Sequence, residues 1–247
     1  MRFKFLFFAF FLYICTNAFA FDISEKLNYD LTWAGIKVGE SMLEVKDNGS
    51  EIQITSKASS AKWVSVFYKV NDSVISTLKK QTSEDSKQKA DRVFMWIPKN
   101  YRIKLKEGKY IRDKEIIFDH ATKKAKYINH ITNESLVFDI NDSTLDPLSC
   151  LYYVRRLPLK VGKSIFIEVF DSKKLYNVEV QVLNKEIVET PLGTFRTILI
   201  RPIIKSEGIF YRKGDILIWL TDDEKRIPVL LKTKVQLGSV KAVLVSK

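Results

Sequence analysis

The sequence is poor in the residues and motifs from which most catalytic and metal-binding sites are built. It has two histidines and two cysteines in 247 residues, and His120, His130 and Cys150 lack the close spacing of a zinc site. No G-x-S-x-G, H-E-x-x-H, P-loop or glycine-rich dinucleotide motif is present. A catalytic triad assembles in space, so sequence spacing leaves that arrangement open. We predict no catalytic, cofactor-binding or metal-ligating residue and expect both histidines to be exposed polar residues.

Long apolar runs are also absent, except at the start of the chain. Phe5 to Ile14 is apolar, follows the basic residues Arg2 and Lys4, and precedes Ala18-Phe19-Ala20. Charge, apolar core and small residues in this order are typical of a secretory signal peptide. The run is shorter than the roughly 20 residues that a spanning helix needs. We therefore predict a signal peptide over 1–20, cleavage after Ala20, and a periplasmic or otherwise extracytoplasmic location.

The two cysteines bear on processing and on cross-linking. Cys15 would allow lipidation instead of cleavage at Ala20, although Tyr13 and Ile14 before it are bulkier than a lipoprotein peptidase prefers. Cleavage would leave Cys150 alone, without an internal disulfide, so the core must hold the fold unaided. No later apolar segment is long enough for a spanning helix, and we expect no transmembrane segment after cleavage.

Acidic residues are outnumbered by basic ones. Lys and Arg total 41 against 29 Asp and Glu, a net charge of +12, which becomes +10 when Arg2 and Lys4 are lost. A basic exported protein can associate with anionic envelope surfaces, whereas scattered lysines also serve solubility alone. We expect an envelope lipid, glycan or protein as partner, and export argues against nucleic acid. The sequence does not indicate the oligomeric state.

Glycine and proline are few, and most of them separate short apolar alternations. Val178, Val180 and Val182 alternate with polar residues, which predicts a half-buried strand. Asn-Gly between two alternations predicts a hairpin. Turns are predicted at 47–50, 106–109, 190–193, 222–226 and 237–240. The chain therefore predicts an all-β, mainly antiparallel meander, either a curved sheet or a partly closed β-barrel, in one β-rich domain over 21–247. The polar stretch 79–91 is expected to be an exposed loop.

One segment has helical rather than strand periodicity. Asp146 and Pro147 are typical of an N-cap followed by N1, and Pro158 would stop the helix. Four apolar residues lie at i, i+3, i+4 and i+7 from Cys150, which predicts a short helix near 147–157 with Cys150 facing inward. Arg155 and Arg156 would project elsewhere. They would either pair with a carboxylate in solvent or form an anion clamp at one end of the sheet.

A second polar pair is Asp222-Asp223, at a predicted strand end before Arg226. The pair fits turn chemistry, in which a carboxylate accepts bonds from nearby backbone N–H groups. It could also serve acid–base work or calcium binding, but only if both residues lie within the turn, because neighbours on a strand point to opposite faces. Asp222, Asp223, Arg155 and Arg156 are the residues that we nominate as ligand or partner contacts.

Four motifs in order resemble an exported bacterial family catalogued as domain of unknown function 3108. The motifs are 25–30 with 33–40, 145–149 with 151–155, 190–195, and 218–223 with 226–229. The resemblance implies a periplasmic or outer-envelope β-rich domain. It implies no catalytic residues.

Two hypotheses about function follow from the sequence. The first is a non-catalytic binding or structural module for an envelope lipid, glycan or protein, which a concave apolar surface would suit. The second is a hydrolase or transferase that acts on envelope polymers, with Asp146, Asp222 and Asp223 as its carboxylates. An open apolar cavity on the concave side would favour a small ligand, and a filled interior would favour a structural or protein-binding role.

Overall fold

A computed structural model describes residues 24–80, 96–205, 216–235 and 238–247. The predicted signal peptide lies outside these residues, as does most of the polar stretch 79–91. These described residues contain two short helices, α1 (Lys62–Ser65) and α2 (Pro147–Val154). The strands are β1 (Glu25–Trp33), β2 (Ile36–Asp47), β3 (Glu51–Ser60), β4 (Asn71–Lys80), β5 (Trp96–Glu107), β6 (Tyr110–Asp119), β7 (Lys124–Asn129), β8 (Glu134–Asp139), β9 (Ser164–Asp171), β10 (Lys174–Thr190), β11 (Gly193–Lys205), β12 (Ile216–Thr221), β13 (Pro228–Lys234) and β14 (Ser239–Ser246).

The strands form one 14-stranded sheet in the order β8-β7-β6-β5-β4-β3-β2-β1-β14-β13-β12-β11-β10-β9. Neighbouring strands of this sheet pair antiparallel. The predicted all-β antiparallel class is therefore confirmed. The first and last strands pair in the middle of the sheet, so its edges are β8 and β9 rather than the strands nearest the chain ends.

The sheet curves until its two edges face each other, but no ladder between the described strands closes it. The Phe138 ring on β8 lies 5.3 Å from the Phe170 ring on β9, measured between centroids. At the same edge Lys173 Nζ lies 2.6 Å from Glu134 Oε2. The chain before α2 runs along β9, where Leu145 forms an isolated parallel bridge with Val169. The structure is therefore an open, strongly curved sheet with side chains across its seam.

Two glycines explain how the strands turn and approach each other. Gly49 has φ +81°, as a hairpin turn requires, and Asn48 N donates to Glu51 O across that turn at 2.9 Å. Gly39 lies so close to β3 that a Cβ there would collide with the Ser59 carbonyl oxygen. Gly39 thus marks a close backbone approach, which is a common reason for glycine inside a strand.

Helix α2 begins as the sequence predicts and ends earlier than expected. Asp146 accepts from the backbone N–H groups of Leu148 and Ser149 at 2.9 and 3.0 Å, with Pro147 in the first turn. The helix ends at Val154 rather than at 157. Arg156 N and Leu157 N instead donate to carbonyls three residues back. Pro158 accounts for the early end, because a proline has no N–H to donate to the carbonyl of Val154, four residues before it, and its ring would clash with that carbonyl in a continuing helix.

The core consists of three clusters of buried side chains, and α2 lies among them. Tyr152 belongs to the cluster built on β1–β5 and β10–β14, while Cys150 and Val154 belong to the cluster on β9–β12. Leu148 packs against the first of these and against the third cluster, on β5–β7 and β9. The helix therefore fills the concave side of the sheet, where apolar burial stabilises the fold by about 25 cal/mol per Å².

Candidate functional site

Arg155 lies inside the protein and forms a two-pronged ion pair with Glu25 on β1. Nη1 donates to Oε1 and Nη2 donates to Oε2, the latter at 3.0 Å, with the side chains 8% and 19% exposed. Tyr152 Oη donates to Glu25 Oε1 at 2.8 Å, and the guanidinium lies 4.6 Å from the centre of the Tyr152 ring. Burial alone would lower the pKa of Arg155, but the hydrogen bonds and charge of Glu25 outweigh it and raise that pKa.

This ion pair also connects α2 to the turn between β12 and β13. Arg155 Nη2 donates to the Lys225 carbonyl oxygen at 3.0 Å. The expected carboxylate partner is therefore present, but the expectation that Arg155 projects away from the core is wrong. The reason is that Glu25, Tyr152 and Lys225 together satisfy a charge that would be costly to bury alone. Arg156, the next residue, is exposed.

Asp222 and Asp223 lie in the same turn and have separate partners. Asp223 Oδ1 accepts from the N–H groups of Lys225 and Arg226 at 3.0 and 2.9 Å, and from Thr221 Oγ1 at 2.7 Å. Asp222 Oδ2 lies 2.6 Å from Lys185 Nζ. The predicted turn chemistry is confirmed for Asp223. The contacts of these carboxylates do not combine them into an acid–base pair, and contact of either with a ligand or partner stays a prediction.

Asp146 is fully buried and holds the start of α2 against β4. Besides its two backbone bonds, its Oδ2 accepts from Ser76 Oγ at 2.7 Å. Burial raises the pKa of Asp146 more than the bonds from Ser76 and Ser149 lower it. A carboxylate enclosed in this way has no path to a polymer outside the sheet, so the structure gives Asp146 a capping role and not one in hydrolysis.

The contacts of Cys150 and of the two histidines are those of structural residues. Burial raises the pKa of the Cys150 thiol to about 12, so it stays protonated at neutral pH. His120 was expected to be exposed, but it is buried, with Nε2 2.9 Å from the Pro98 carbonyl oxygen and its ring stacked on Phe118. The prediction failed because His120 continues the alternation of β6, in which Ile116 and Phe118 are buried and Ile117 and Asp119 are exposed. His130 is exposed, as expected, 2.8 Å from Glu115 Oε2.

The concave side holds packed side chains, and a cleft opens elsewhere on the sheet. Within the described ranges no group of three or more His, Cys, Asp or Glu side chains is placed to hold a metal ion. The cleft, of about 480 Å³, crosses the strands from β14 to β4. Its charged centre is Lys37, whose Nζ lies 2.7 Å from both Asp30 Oδ1 and Glu40 Oε1. This is a solvated charge network of the kind found on ordinary protein surfaces.

The most unusual surface lies at one end of the sheet and was missed from the sequence. Every second connection reaches this end, including β1–β2, β3–β4 and β5–β6. Large apolar side chains are exposed on these three neighbouring connections and the strand ends beside them. We call this surface the aromatic rim; it comprises Trp33, Ile36, Trp63, Val66, Phe67, Tyr68, Tyr110 and Ile111. The sequence feature that could have indicated this surface is the run 63–68, whose apolar residues follow neither strand alternation nor a long helical stripe.

Hydrogen bonds hold the rim in a defined shape. Phe67 N and Tyr68 N both donate to Val64 O, at 2.9 and 2.8 Å. Trp63 Nε1 donates to Lys37 O at 3.2 Å, which attaches α1 to the start of β2. The Tyr68 ring lies against Gly108, where a Cβ would come within 2.9 Å of the ring. The exposed side chains therefore stand on an ordered connection.

Comparison with known proteins places the chain in a family. A family model described as "Protein of unknown function (DUF3108)" matches residues 28–245. The chain belongs to the DUF3108 family. The resemblance read from the four motifs is thus confirmed, and the family carries no assigned activity. None of the curated proteins matches the sequence.

The fold is similar to that of solved structures. Among them is the crystal structure of a beta-barrel-like protein of domain of unknown function DUF1849 from Brucella abortus, with a TM-score of 0.56 and 11% sequence identity. The match covers 90% of this chain and 95% of that one. At this identity the likeness concerns the fold alone. It agrees with a curved sheet that approaches a barrel without closing.

Proposed function

We propose that this DUF3108 protein is an exported, non-catalytic module of the bacterial cell envelope that binds a lipid, glycan or protein partner with its outer surface. The observation that carries the proposal is the filled concave side. Helix α2 occupies the space in which a curved sheet would otherwise enclose a ligand. Small-molecule sites are concave and largely preformed, so the packed core favours contacts on the outside.

The carboxylates considered for hydrolysis support the same proposal. Asp146 is sealed in the core, Asp223 closes a turn, and Asp222 is ion-paired with Lys185. A general acid or base has to reach the proton that it transfers within hydrogen-bond distance. These side chains are engaged in holding the fold, which disfavours the hydrolase or transferase hypothesis.

The four nominated contacts divide by exposure. Arg156, Asp222 and Asp223 are exposed and stay proposed contacts for a partner at the α2 end of the sheet. Arg155 is buried, so we propose that it contributes there by holding the 222–226 turn in place. No helix in the described part of the chain combines the length and apolar character required to cross a bilayer.

Location and ligand occupancy can be tested together. The full-length gene is expressed in a bacterium, the osmotic-shock fraction is collected, and the protein is examined by native mass spectrometry. The expected mass is that of residues 21–247, with no retained small molecule. A small molecule retained in stoichiometric amount would contradict the proposal that partners bind only at the outer surface. Recovery of the protein in the cytoplasm with residues 1–20 intact would contradict export.

A further inference from the structure

The aromatic rim exposes more apolar surface than folding requires. Phe67 is 85% exposed and Val66 is 77% exposed, at the tip of the β3–β4 connection. Contiguous exposed apolar patches on soluble proteins commonly mark protein or membrane contacts. The ordered backbone of residues 64–68 keeps these side chains outside the core. The rim is therefore a preformed docking surface.

Two of the three connections of the rim are mainly basic. Segments 61–72 and 105–113 contain Lys62, Lys69, Lys106, Lys109 and Arg112 against Asp72, Glu107 and Asp113. Asp72 Oδ1 accepts from the backbone N–H of Lys106 at 3.0 Å, and Asp113 pairs with Arg102. At the third connection, Lys37 pairs with Asp30 and Glu40. The four lysines of the two basic connections are exposed. Across the described residues, none of these four lysines lies within ion-pair distance of a carboxylate. Their charge is available to an anionic surface.

The combination of side chains selects a lipid surface over a protein partner. Trp and Tyr combine an apolar ring with a polar atom and favour the headgroup layer of a bilayer. Lysines beside them can place their stems along apolar groups and their ammonium groups among phosphates. Protein interfaces, by contrast, are depleted in lysine at their centre. Resting on the proposed envelope function, we propose that the aromatic rim docks the protein onto an anionic phospholipid bilayer.

In this arrangement the β3–β4 connection enters the membrane interface first. Val66 and Phe67 insert into the boundary between headgroups and acyl chains, and Trp63 and Tyr68 lie beside them at headgroup level. Lys62 and Lys69, on either side of the same connection, contact lipid phosphates. Such binding is peripheral and reversible, and it weakens with added salt because part of it is electrostatic.

Vesicle co-sedimentation tests this proposal directly. The protein used begins at Phe21 and contains every residue of the described sheet. It is mixed with vesicles of phosphatidylglycerol and phosphatidylethanolamine and, in parallel, with vesicles of phosphatidylcholine alone. We expect binding to the anionic vesicles, much weaker binding to the neutral ones, and a loss of binding as salt is raised.

Two sets of substitutions separate the apolar and electrostatic contributions. The double variant Val66→Ser with Phe67→Ser is expected to bind the anionic vesicles at least about tenfold more weakly, because two inserted apolar side chains are lost. Lys62→Gln and Lys69→Gln are each expected to weaken binding about fivefold and to reduce its salt dependence. The neutral vesicles should be insensitive to the lysine changes.

A matched control lies at the opposite end of the sheet. Ile187 and Leu192, on and beside the β10–β11 hairpin, are 68% and 40% exposed. The double variant Ile187→Ser with Leu192→Ser also removes two exposed apolar side chains, although less area, because Leu192 is less exposed than Phe67. It is expected to bind the anionic vesicles as the native chain does. Circular dichroism of each variant verifies that the sheet is intact.

Three results would overturn the lipid proposal: no binding of the native chain to anionic vesicles, unchanged binding of the Val66→Ser and Phe67→Ser variant, or an equal loss in the control. The proposed function fails by different results. If the processed protein does not bind vesicles but cross-links to a defined envelope protein or glycan through the rim, the proposed function is supported and the lipid proposal is rejected. Turnover of an envelope polymer would contradict the function whether or not vesicles bind.

Discussion

The filled interior around α2 and the aromatic rim differ in which side chains they bury and which they expose. In the interior, charged groups are buried, and Arg155, Glu25 and Asp146 each have specific partners. On the rim, large apolar groups are exposed, and Phe67 stands outside the core on an ordered connection. The interior arrangement is explained by the stability of the fold. The rim is not, because exposing apolar surface to water gains no folding free energy. Substitutions that break the interior and the rim should therefore change different measurements.

The largest expected effect is on the buried ion pair. Arg155→Ala leaves Glu25 and the Lys225 carbonyl without their buried partner, and we expect the free energy of unfolding to fall by about 3–5 kcal/mol. Urea denaturation measures this change. Because only the interior is affected, vesicle binding per folded molecule should stay unchanged.

Two further variants sharpen this result. In the double variant Arg155→Met with Glu25→Gln no charge is left unpaired, so most of the lost stability should return. Arg156→Ala, at the exposed neighbour, should change the free energy of unfolding by at most about 0.5 kcal/mol. Equal losses from Arg155→Ala and Arg156→Ala would contradict the assignment of the stabilising contact to Arg155.

The next effect concerns the cap of α2. Asp146→Ala removes the acceptor for two backbone N–H groups and leaves the buried Ser76 hydroxyl without its partner. Loss of a cap together with an unsatisfied buried hydroxyl should cost about 2–3 kcal/mol in urea denaturation. Asp146→Asn keeps an acceptor for the backbone and an amide for Ser76, so it should cost less than about 1 kcal/mol. A loss from Asn as large as that from Ala would mean that the negative charge itself is required.

A smaller effect is expected in the pH dependence of stability. Burial lowers the pKa of His120 in the folded protein, while the unfolded chain has the ordinary value of about 6.5. The neutral ring therefore contributes stability that is present above pH ~6.5 and is lost as pH falls below it toward the folded pKa. The difference between the unfolding curves of the native chain and of His120→Gln should shrink over this range. Acid sensitivity below pH ~6.5 that is as large in His120→Gln as in the native chain would contradict this assignment.

The sequence predicts the parts of this protein that depend on local chemistry. Asn48-Gly49 defines its hairpin, and Asp146-Pro147 defines the start of α2, because the conformations involved are set by those residues themselves. The pairing of β1 with β14 was not predicted, since it joins residues such as Asn28 and Ser246 that are far apart in the chain. The burial of Arg155 was missed for the same reason: its partner Glu25 is supplied by a distant strand.

The rim was missed for a different reason, and its stability gives the last and smallest expected effect. Apolar periodicity predicts which side chains are buried, whereas Val66 and Phe67 are apolar and exposed, so only the structure separates them from core residues. Their replacement by serine removes few folded-state contacts and should change the free energy of unfolding by no more than about 0.5 kcal/mol. Urea denaturation of that variant beside Leu27→Ala, a core truncation expected to cost about 2–5 kcal/mol, makes the comparison. A cost at the rim as large as that in the core would mean that these side chains pack inside the protein in solution, and the docking surface would not exist. A near-zero cost together with lost vesicle binding would separate the function of the rim from the stability of the fold.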